Sequence, residues 1–379
     1  MEDNKLKVGI VTIYDLRNYG NRLQNYAVYA SLNHLGINAE TLVPRQVTKY
    51  PAVRKKEETI NQLFLENPVE AQETEPKIVQ ELRFKSFNND NISERFMNTV
   101  CVPPSISDEY DYFVTGSDQV WNPMFRSATG KMKDYFLTFA PPEKRVCFSP
   151  SIGLDELPDK WVPLYSKELD KFRYLSVREE SGAALITKLT GKHATVLLDP
   201  TLLIEPDEWL SIARPLPGLD YNDGNYILYY FLGNKDEEIS ADMKTALERE
   251  ISQHNLLEYN VLDKTNPTLF SAGPAEFIDL ISNAKLVVTD SFHATVFSIL
   301  LNRPFLVCDR NLIINGLVVN MSNRITTLLH KFKLSHKLPN TQKLDSESIW
   351  DSDYTNAKPI LEKEKAKAIK FLKQSFNLD

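Results

Sequence analysis

Apolar residues occur along the chain in short blocks that end in polar turns, and residues 286–307 show this arrangement most fully. The first block, Leu286 to Thr289, is short and rich in β-branched residues, which predicts a buried strand. Residues 292–301 have the length and composition of a helix, and Asn-Arg-Pro at 302–304 ends it before a second apolar strand at 305–308. The segment therefore predicts one βαβ unit of a parallel sheet.

Strands and helices predicted by the same periodicity alternate through both halves of the chain. In the first half, strands or strand-and-turn units are expected over residues 6–14, 38–43, 112–115, 145–153, 174–181 and 194–200, and helices over 27–36, 158–172 and 179–190. In the second half, strands are expected over 226–233 and 258–262, and helices over 236–254, from 273, and over 357–376. This alternation is typical of α/β domains built on parallel sheets.

Two interruptions of the pattern indicate how the chain is divided. Residues 45–100 are charged and only weakly periodic, which favours a helical excursion or flap rather than part of a sheet. The stretch at 213–225 is rich in Pro and Gly, as linkers between domains are. We therefore predict an N-terminal α/β domain over 1–212, which includes the excursion, and a C-terminal α/β domain over 213–379.

Composition agrees with two domains and narrows the possible partners. With 379 residues and 42% hydrophobic content, the chain is long and apolar enough for two cores. The net charge of −7 and the pI of about 5.6 argue against nucleic-acid partners and against tethering to anionic lipid, since both favour a basic surface. An anionic ligand would need local basic residues.

The N-terminal residues and the cysteines bear on location. MEDNKLKVGIVTIY leads directly into a strand, and no run reaches the roughly 18 apolar residues of a membrane-spanning helix. We therefore expect a cytoplasmic protein with at most peripheral membrane contact. Cys101, Cys147 and Cys308 are far apart, which predicts reduced thiols used in packing and provides no zinc-binding spacing.

A polar segment, DLRNYGNRLQN, follows the first strand. It contains Asn18, Asn21, Arg22 and Gln24, before the helix predicted at 27–36. Because loops after parallel strands lie at the carboxyl edge of the sheet, these four side chains are candidates for substrate binding. The alternative is an Asn- and Gly-rich turn that only caps the helix. No G-x-G-x-x-G follows the strand, which argues against NAD or FAD.

Two further polar turns follow predicted strands in the first half. In one, Ser117 is a candidate for substrate binding and Asp118 for accepting a proton from a substrate hydroxyl, although a carboxylate there is equally suited to cap a helix. In the other, Arg178 stands where a strand gives way to a helix. Its planar guanidinium suits a carboxylate or phosphate, and its alternative role is an ion pair with Glu179 or Glu180.

The turn within residues 286–307 is a candidate anion site. Asp290, Ser291, Phe292 and His293 lie where the strand ends and the helix begins, and the N–H groups and dipole of a helix N-terminus favour a bound anion. His293 is suited to donate to a phosphate or carboxylate, or to transfer a proton. Its alternative role is to cap the helix or to bond a buried carbonyl.

Five motifs resemble those of one enzyme family. NYGNRLQNYA, VTGSDQVWN, SVREE, LLDPT and AKLVVTDSFHATVFSILLNRPF follow one another as in the polysaccharide pyruvyl transferases, and the likeness spans about residues 6–310. The resemblance implies two Rossmann-like domains with a cleft between them, similar to the B-type glycosyltransferase architecture. It also implies transfer of a pyruvyl group from phosphoenolpyruvate to two sugar hydroxyls as a cyclic ketal, in surface or capsular polysaccharide biosynthesis.

The resemblance also assigns roles to individual residues. Arg178 and His293 match residues that hold the donor in relatives. Relatives often carry Gly after the motif histidine and Asp after the N-x-G of the first motif, whereas this chain has Ala294 and Asn21. The first change narrows the space for an anion, and the second leaves the role of the first loop open.

The chemistry of phosphoenolpyruvate fits these residues. Its phosphate and carboxylate need a guanidinium and helix-terminus amides, which Arg178 and the turn at 291–293 are suited to supply. Addition of a sugar hydroxyl needs a general acid and a general base, so we expect His293 as the acid or phosphate donor and Asp118 or Asp290 as the base. We expect neither a metal nor a bound cofactor. The N-terminal domain would take the sugar acceptor, which is a nucleotide sugar, a lipid-linked glycan or a polysaccharide, and the C-terminal domain the donor.

Two other functions fit the same pattern. A nucleotide-sugar-dependent glycosyltransferase would share the fold, although the second half lacks an obvious nucleotide-binding Glu or Arg pattern. A sugar-binding homologue without activity is the other alternative, for which Ala294 and Asn21 leave room. The sequence does not define an oligomeric state.

Overall fold

The chain forms two compact units, each built around a parallel sheet. The computed structural model describes residues 5–45, 51–125, 130–314, 317–320 and 323–378. Unit 1 comprises Met1–Thr48, Asn88–Ile204 and Glu362–Asp379, and unit 2 comprises Lys49–Phe87 and Glu205–Leu361. The chain therefore passes from one unit to the other four times along its length.

The described elements alternate between strand and helix along most of the chain. The strands are β1 (Lys7–Val11), β2 (Asn38–Pro44), β3 (Glu94–Met97), β4 (Tyr112–Thr115), β5 (Arg145–Cys147), β6 (Leu175–Val177), β7 (Ala194–Val196), β8 (Tyr226–Tyr230), β9 (Leu257–Asn260), β10 (Leu286–Thr289), β11 (Phe305–Val307), β12 (Asn311–Ile314) and β13 (Leu317–Asn320). The helices are α1 (Tyr19–His34), α2 (Pro51–Glu66), α3 (Pro68–Thr74), α4 (Pro76–Asn91), α5 (Met132–Tyr135), α6 (Val162–Leu169), α7 (Glu180–Thr190), α8 (Pro206–Ile212), α9 (Lys235–Glu238), α10 (Ala241–His254), α11 (Pro267–Phe270), α12 (Pro274–Asn283), α13 (Phe292–Leu300), α14 (Asn323–Lys331), α15 (Ser346–Trp350) and α16 (Lys358–Ser375).

The main sheet of unit 1 has five parallel strands in the order β3-β2-β1-β4-β5, and β6 pairs with β7 in a second parallel sheet. β1 is central, since Val8 lies beside Ala39 of β2 and Tyr112 of β4. Side chains alternate between the two faces of a strand. Accordingly, Val8 and Ile10 pack into one core and Val11 into another. The main sheet is therefore covered on both faces, as is usual for parallel sheets.

Unit 2 has a four-stranded parallel sheet in the order β11-β10-β8-β9. Ile227 of β8 and Val288 of β10 are buried and share one core with Leu247 of α10. β12 and β13 pair with each other in antiparallel fashion after β11. The β10–α13–β11 segment is the βαβ unit predicted from residues 286–307, so that prediction is confirmed.

Residues 49–87 belong to unit 2, whereas the sequence-based division placed them in the N-terminal domain. Gln72 donates to the carbonyl oxygen of Pro217 at 2.8 Å, and Gln80 donates to that of Phe270 at 2.9 Å. Both amide side chains are buried. Buried amides need such partners, and these lie far along the chain, where local periodicity carries no information about them.

The C-terminal helix α16 contributes to unit 1, whereas the sequence-based division placed it in the second domain. Ala368 and Leu372 are buried and share a core with Val8 and Ile10 of β1. Residues four apart lie on the same side of a helix, which explains how one apolar stripe of α16 covers this face of the sheet. The remaining division falls between residues 204 and 205, not between 212 and 213.

Three of the departures from the predicted elements have a clear structural reason. Helix α1 begins at Tyr19 rather than at residue 27, so the polar segment after β1 is largely helical. β3 pairs with β2 in parallel, so the interpretation of residues 45–100 as lying outside the sheet is wrong for this strand. The helix predicted over 236–254 is two helices, because the side chain of Ser240 caps the start of α10. Caps and short edge strands carry little periodic signal.

The cysteines differ in their surroundings. Cys147 and Cys308 are buried free thiols, whereas Cys101 is an exposed free thiol, so the packing role predicted for all three is wrong for Cys101. In the part of the chain that the structure describes, none of the helices combines the length and apolar character needed to cross a bilayer.

Arg83→Leu is expected to destabilise unit 2. The Arg83 guanidinium lies 3.6 Å from the carboxylate of Glu276, donates to the Ser271 carbonyl at 3.0 Å and donates to the Gln72 amide oxygen at 2.9 Å. Removing the cation leaves a buried carboxylate uncompensated, which is expected to lower the free energy of unfolding by about 3–5 kcal/mol. Urea denaturation measures the loss.

Lys77→Leu is the matched control for this variant. It removes an exposed cation from the same helix, and a surface change of this kind alters the free energy of unfolding by less than about 0.5 kcal/mol. If Arg83→Leu were as stable as the control, residues 49–87 would not depend on this ion pair.

Candidate active site

Both main sheets have a topological switch point, where strands that follow each other in the chain extend the sheet in opposite directions. In unit 1 it lies between β1 and β4, and in unit 2 it lies between β8 and β10. In open α/β sheets, ligands bind outside the carboxyl ends of the strands at such a point. The turns that follow β1, β4 and β10 contain most of the polar residues singled out from the sequence.

In unit 1, the turn after β1 leads into α1 through a side-chain cap. Asn18 has extended backbone angles, and its Oδ1 accepts the backbone N–H of Asn21 at 3.0 Å. A cap of this kind stabilises a helix by about 1 kcal/mol. The capping role considered for this segment is therefore confirmed for Asn18, which is half-buried.

Asn21 connects the turn after β1 with the turn after β4. Its Oδ1 accepts the backbone N–H of Asp15 at 3.1 Å and a guanidinium N–H of Arg22 at 2.7 Å. Its Nδ2 donates to the Asp118 carboxylate at 3.2 Å. An aspartate at this position would bring a second negative charge to Asp118, whereas the amide of Asn21 donates to it. The departure from the family pattern at this position therefore has a structural consequence.

Arg22 and Gln24 lie inside unit 1, and both are 0% exposed. Arg22 donates to the carbonyl oxygen of Ile13 and to the side-chain oxygen of Asn21. Burial lowers the pKa of its guanidinium, although Tyr14 and Glu94 act to raise it. Gln24 donates to the hydroxyl of Thr12 at 2.9 Å. Direct substrate contact, predicted for Arg22 and Gln24, does not fit this burial. Both side chains fix the turn after β1 from within.

Asp118 occupies a strained position in the turn after β4. Its φ is 68°, in the left-handed region that few residues other than glycine adopt. Its backbone carbonyl accepts the N–H of Ser151 at 2.8 Å, and it pairs with Pro150 in an isolated parallel bridge. These contacts hold the carboxylate, which is half-buried, beside Asn21. Strain of this kind, typically about 1–3 kcal/mol, often accumulates at functional sites.

Arg178 is held by an ion pair with Asp199. Its Nη2 lies 2.6 Å from Asp199 Oδ2 and also donates to the hydroxyl of Ser117. Both charged side chains are buried. Ser117 donates in turn to the carbonyl oxygen of Ser149 at 3.0 Å, and it is buried as well. The carboxyl ends of β4, β6 and β7 are therefore joined through one guanidinium.

The ion pair that the sequence suggested for Arg178 has a different partner. Glu179 accepts the backbone N–H groups of Ile152 at 2.8 Å and of Gly153 at 2.9 Å, while Asp199 pairs with Arg178. Asp199 was not among the candidate residues, although it is the acidic residue of the LLDPT motif. Its other oxygen accepts the backbone N–H of Thr201 at 2.9 Å, which orients the carboxylate.

In unit 2, Asp290 links the turn after β10 to the turn after β8. Its Oδ1 accepts the backbone N–H of Leu232 and its Oδ2 that of Gly233, each at 2.8 Å. The Nε of Arg310 lies 3.9 Å from Oδ2. Because the carboxylate is buried and bonded through both oxygens, its geometry suits a positioning role better than that of a general base.

The residues after Asp290 begin helix α13. Ser291 is the N-cap, and its hydroxyl oxygen accepts the N–H of Ala294 at 3.5 Å. His293 lies in the first turn and is 7% exposed, with its ring edge-to-face with Phe292 at 5.3 Å between ring centres. Ala294 is buried at the base of this turn. The four residues from Asp290 to His293 thus form one compact turn at the carboxyl end of β10.

Arg324, which was not among the residues predicted from the sequence, adds a positive charge to this turn. Its guanidinium carbon lies 5.5 Å from the ring centre of Phe292, and the side chain is buried. A guanidinium over an aromatic face is a favourable cation–π arrangement. Periodicity predicted no strand or helix over residues 309–356. No position in the fold was therefore predicted for Arg324, which lies at the start of α14.

The candidate residues therefore form one cluster in each unit. Unit 1 brings together Asn21, Asp118, Ser117 and Arg178, and unit 2 brings together Asp290, Ser291, Phe292 and His293. Among the described residues, no three His, Cys, Asp or Glu side chains are grouped so that they could hold a metal ion.

A family model with the description "Polysaccharide pyruvyl transferase" matches residues 18–311. The chain belongs to the polysaccharide pyruvyl transferase family. The matched range contains all of the candidate residues from Asn18 to His293, and the resemblance drawn from the five motifs is confirmed. Asp199, Gly233 and Arg310 lie in the same range of this pyruvyl transferase family member.

The fold of this family member is similar to the B-type glycosyltransferase architecture, and the solved structure that supports this has a TM-score of 0.50. The S. aureus MnaA–UDP co-structure matches with a TM-score of 0.50 and 11% identity, over 99% of this chain and 98% of that chain. UGT89C1 of Arabidopsis thaliana, complexed with UDP-L-rhamnose, matches with a TM-score of 0.46 and 12% identity, over 99% and 100%. UDP-GlcNAc 2-epimerase from Neisseria meningitidis, bound to UDP-GlcNAc, matches with a TM-score of 0.41 and 11% identity, over 96% and 100%. The two Rossmann-like domains predicted from the sequence are confirmed. No curated protein sequence gave a significant match.

Asp199→Ala is expected to destabilise unit 1 of this pyruvyl transferase family member. The substitution leaves the buried charge of Arg178 uncompensated, and breaking a buried ion pair on one side lowers the free energy of unfolding by about 3–5 kcal/mol. Glu156→Ala is the matched control, since Glu156 pairs with Lys188 at 3.5 Å with side chains that are 82% and 70% exposed. A surface pair contributes less than about 1 kcal/mol. Chemical denaturation that ranked the two variants equally would contradict a structural role for Asp199.

Proposed function

We propose that this protein transfers a pyruvyl group from phosphoenolpyruvate to two hydroxyls of a sugar and forms a cyclic ketal. The family match over residues 18–311 carries the proposal. The matched range begins at Asn18, the last residue of the turn after β1, and includes the turns after β4, β8 and β10, at the switch points of both main sheets. A ketal-forming transferase needs an anion site and acid–base groups, and these turns contain residue types suited to both.

Binding of the donor requires positive charge and N–H donors, because phosphoenolpyruvate carries a phosphate and a carboxylate. We assign donor contacts to Arg178, by resemblance to the family, and to the turn of His293. The Arg178 guanidinium is oriented by Asp199, which supports recognition of a planar carboxylate or a phosphate. The positive end of the α13 dipole lies at this turn, which suits the turn to an anion, and Arg324 adds a charge nearby.

The reaction proceeds in two additions. The first sugar hydroxyl adds its oxygen to the central carbon of phosphoenolpyruvate, while the methylene carbon takes a proton and becomes a methyl group. The bond from the central carbon to the phosphate oxygen then breaks, and the second hydroxyl adds to the same carbon and loses its proton. The products are the ketal and inorganic phosphate. His293 is suited to supply the proton or to bond the phosphate as it leaves.

Asp118 is the better-placed general base of the two carboxylates considered. It is half-buried, and it accepts a hydrogen bond from the neutral amide of Asn21. Asp290 is buried and bonded through both oxygens to backbone N–H groups. A general base needs an oxygen within reach of the proton it removes, which favours Asp118.

Arg178→Ala and His293→Ala are expected to lower the rate of pyruvyl transfer per folded molecule by roughly 10²- to 10⁴-fold each, as loss of one acid–base or electrostatic group typically does. Arg178→Lys should recover only part of the rate, because an ammonium lacks the planar pair of donors. Arg173→Ala and His193→Ala remove exposed residues of the same types and serve as controls. The steady-state turnover of all five variants is measured. Unchanged turnover in His293→Ala would show that His293 takes no part in the reaction.

We further propose that the reaction takes place in the cytoplasm and contributes to surface or capsular polysaccharide. The acceptor is a nucleotide sugar, a lipid-linked glycan or a polysaccharide, and a lipid-linked acceptor would need only peripheral membrane contact. The family description, which names polysaccharide, supports this class of acceptor.

A screen of donors and acceptors tests the proposed function. Purified protein is incubated with phosphoenolpyruvate and a panel of sugar acceptors, and mass spectrometry is used to find products heavier by one pyruvic acid less one water. Such a product, with release of phosphate, is the expected result. Consumption of a nucleotide sugar without phosphoenolpyruvate would instead favour a glycosyltransferase. Binding of phosphoenolpyruvate in calorimetry, with no product across the panel, would favour a non-catalytic homologue.

A further inference from the structure

Two carboxyl groups of unit 2 meet at the carboxyl ends of β8 and β10. One is that of Asp290, whose two oxygens accept the backbone N–H groups of Leu232 and Gly233. The other is that of Glu238, the last residue of α9. Glu238 lies in a run of charged residues, Lys-Asp-Glu-Glu, that is typical of a solvated helix and does not mark it as a site residue.

The Glu238 carboxyl packs directly on the backbone of Gly233. A methyl group added at Gly233 would overlap the Oε1 of Glu238 and lie 2.8 Å from its Cδ. Since the N–H of Gly233 also bonds to Asp290, both carboxyl groups lie against the same glycine. Two carboxyl groups can share a hydrogen bond only when one of them holds a proton. Burial, followed by the charge of Asp290 and a hydrogen bond to it, raises the pKa of Glu238 to about 8.

The other ionisable groups near the pair set its charge balance. Arg310 lies 3.9 Å from the Asp290 carboxylate and lowers the pKa of Glu238. The thiol of Cys308 stays neutral, because burial and then the charges of Glu238 and Asp290 raise its pKa to about 12. With Glu238 protonated, one negative charge faces the cation of Arg310. Ionisation of Glu238 would place two negative charges beside it.

We propose that Glu238, in its protonated form, is a positioning residue that holds the turn of His293 in place through Asp290. Asp290 directly precedes Ser291, the N-cap of α13, so any shift of its carboxylate moves the start of that helix. When Glu238 ionises, repulsion between the two carboxylates weakens the link between the turns after β8 and β10. Activity therefore falls as the pH rises through about 8, a consequence that rests on the proposed pyruvyl transfer.

A comparison of pH profiles tests the effect on activity. Glu238→Gln keeps a hydrogen-bond donor toward Asp290 at every pH, so its kcat/KM should stay level where that of the wild type falls by about 3- to 10-fold between pH 7 and pH 9. Glu237→Gln is the matched control, since Glu237 bonds to the side chain of Asn234, and it should follow the wild type. If the kcat/KM of Glu238→Gln fell between pH 7 and pH 9 as much as that of the wild type, the proposal would be overturned.

Thermal unfolding tests the carboxyl pair without reference to activity. Because the pKa of Glu238 is raised on folding from 4.5 to about 8, its stabilising contribution is complete below pH 4.5 and is lost as the pH rises to about 8. The Tm of the wild type should therefore fall relative to that of Glu238→Gln over this range and then level off. A Tm difference between the two proteins that does not change with pH would contradict the interaction between the carboxyl groups of Glu238 and Asp290. This outcome is informative even if the protein shows no pyruvyl transfer.

The imidazole of His293 provides a readout of positioning that is also independent of turnover. Its NMR resonances, assigned by comparison with His293→Ala, should shift near pH 8 in the wild type and not in Glu238→Gln. Gly233→Ala offers a second perturbation, because its methyl group displaces the Glu238 carboxyl without removing it, and Gly233 is not among the residues with positive φ. It should abolish the shift near pH 8, and persistence of the wild-type shift would contradict the proposal.

Discussion

The strand order of the two parallel sheets is the constraint on which the candidate site depends. In unit 1 the chain extends the sheet from β1 to β2 and β3 and then returns to the other side of β1 as β4, and in unit 2 β8, β9 and β10 follow the same course. Because crossovers between parallel strands are right-handed, the connecting helices lie on opposite faces on either side of the return. The turns after β1 and β4, and those after β8 and β10, are left open to polar side chains.

Buried polar contacts join these turns in pairs. Asn21 bonds to Asp118 across the return in unit 1, and Asp290 bonds to the backbone at Gly233 across the return in unit 2. Arg178 and Asp199 connect further strand ends in unit 1. A buried polar group without a partner is costly, so each contact strongly favours a single arrangement of its turns. Several residues that were predicted from the sequence to contact a ligand therefore connect one turn to another instead.

The sequence was sufficient to predict most strand positions, although not β3, β12 and β13, and also the βαβ unit and the family, because these depend on local periodicity and on motif order. It could not predict that Arg22 points into the protein, since helix α1 starts earlier than its apolar residues indicate. The pairing of Arg178 with Asp199, and the position of Glu238 on Gly233, depend on strands that are brought together only by the fold. Such contacts have no signature in local spacing.

The insertion of residues 49–87 into unit 2 affects how the protein emerges from the ribosome. Arg83 finds its buried partner Ser271 only after a further 188 residues have been added. At about 5–20 residues per second, that interval lasts roughly 10–40 s. During this interval, Ile60, Ala71 and Val79, which pack together, have been synthesised before the sheet of unit 2. Unit 1 still lacks its last helix, α16. Neither unit is complete during synthesis until most of the chain has been translated, so both sheets reach their final packing only late in translation.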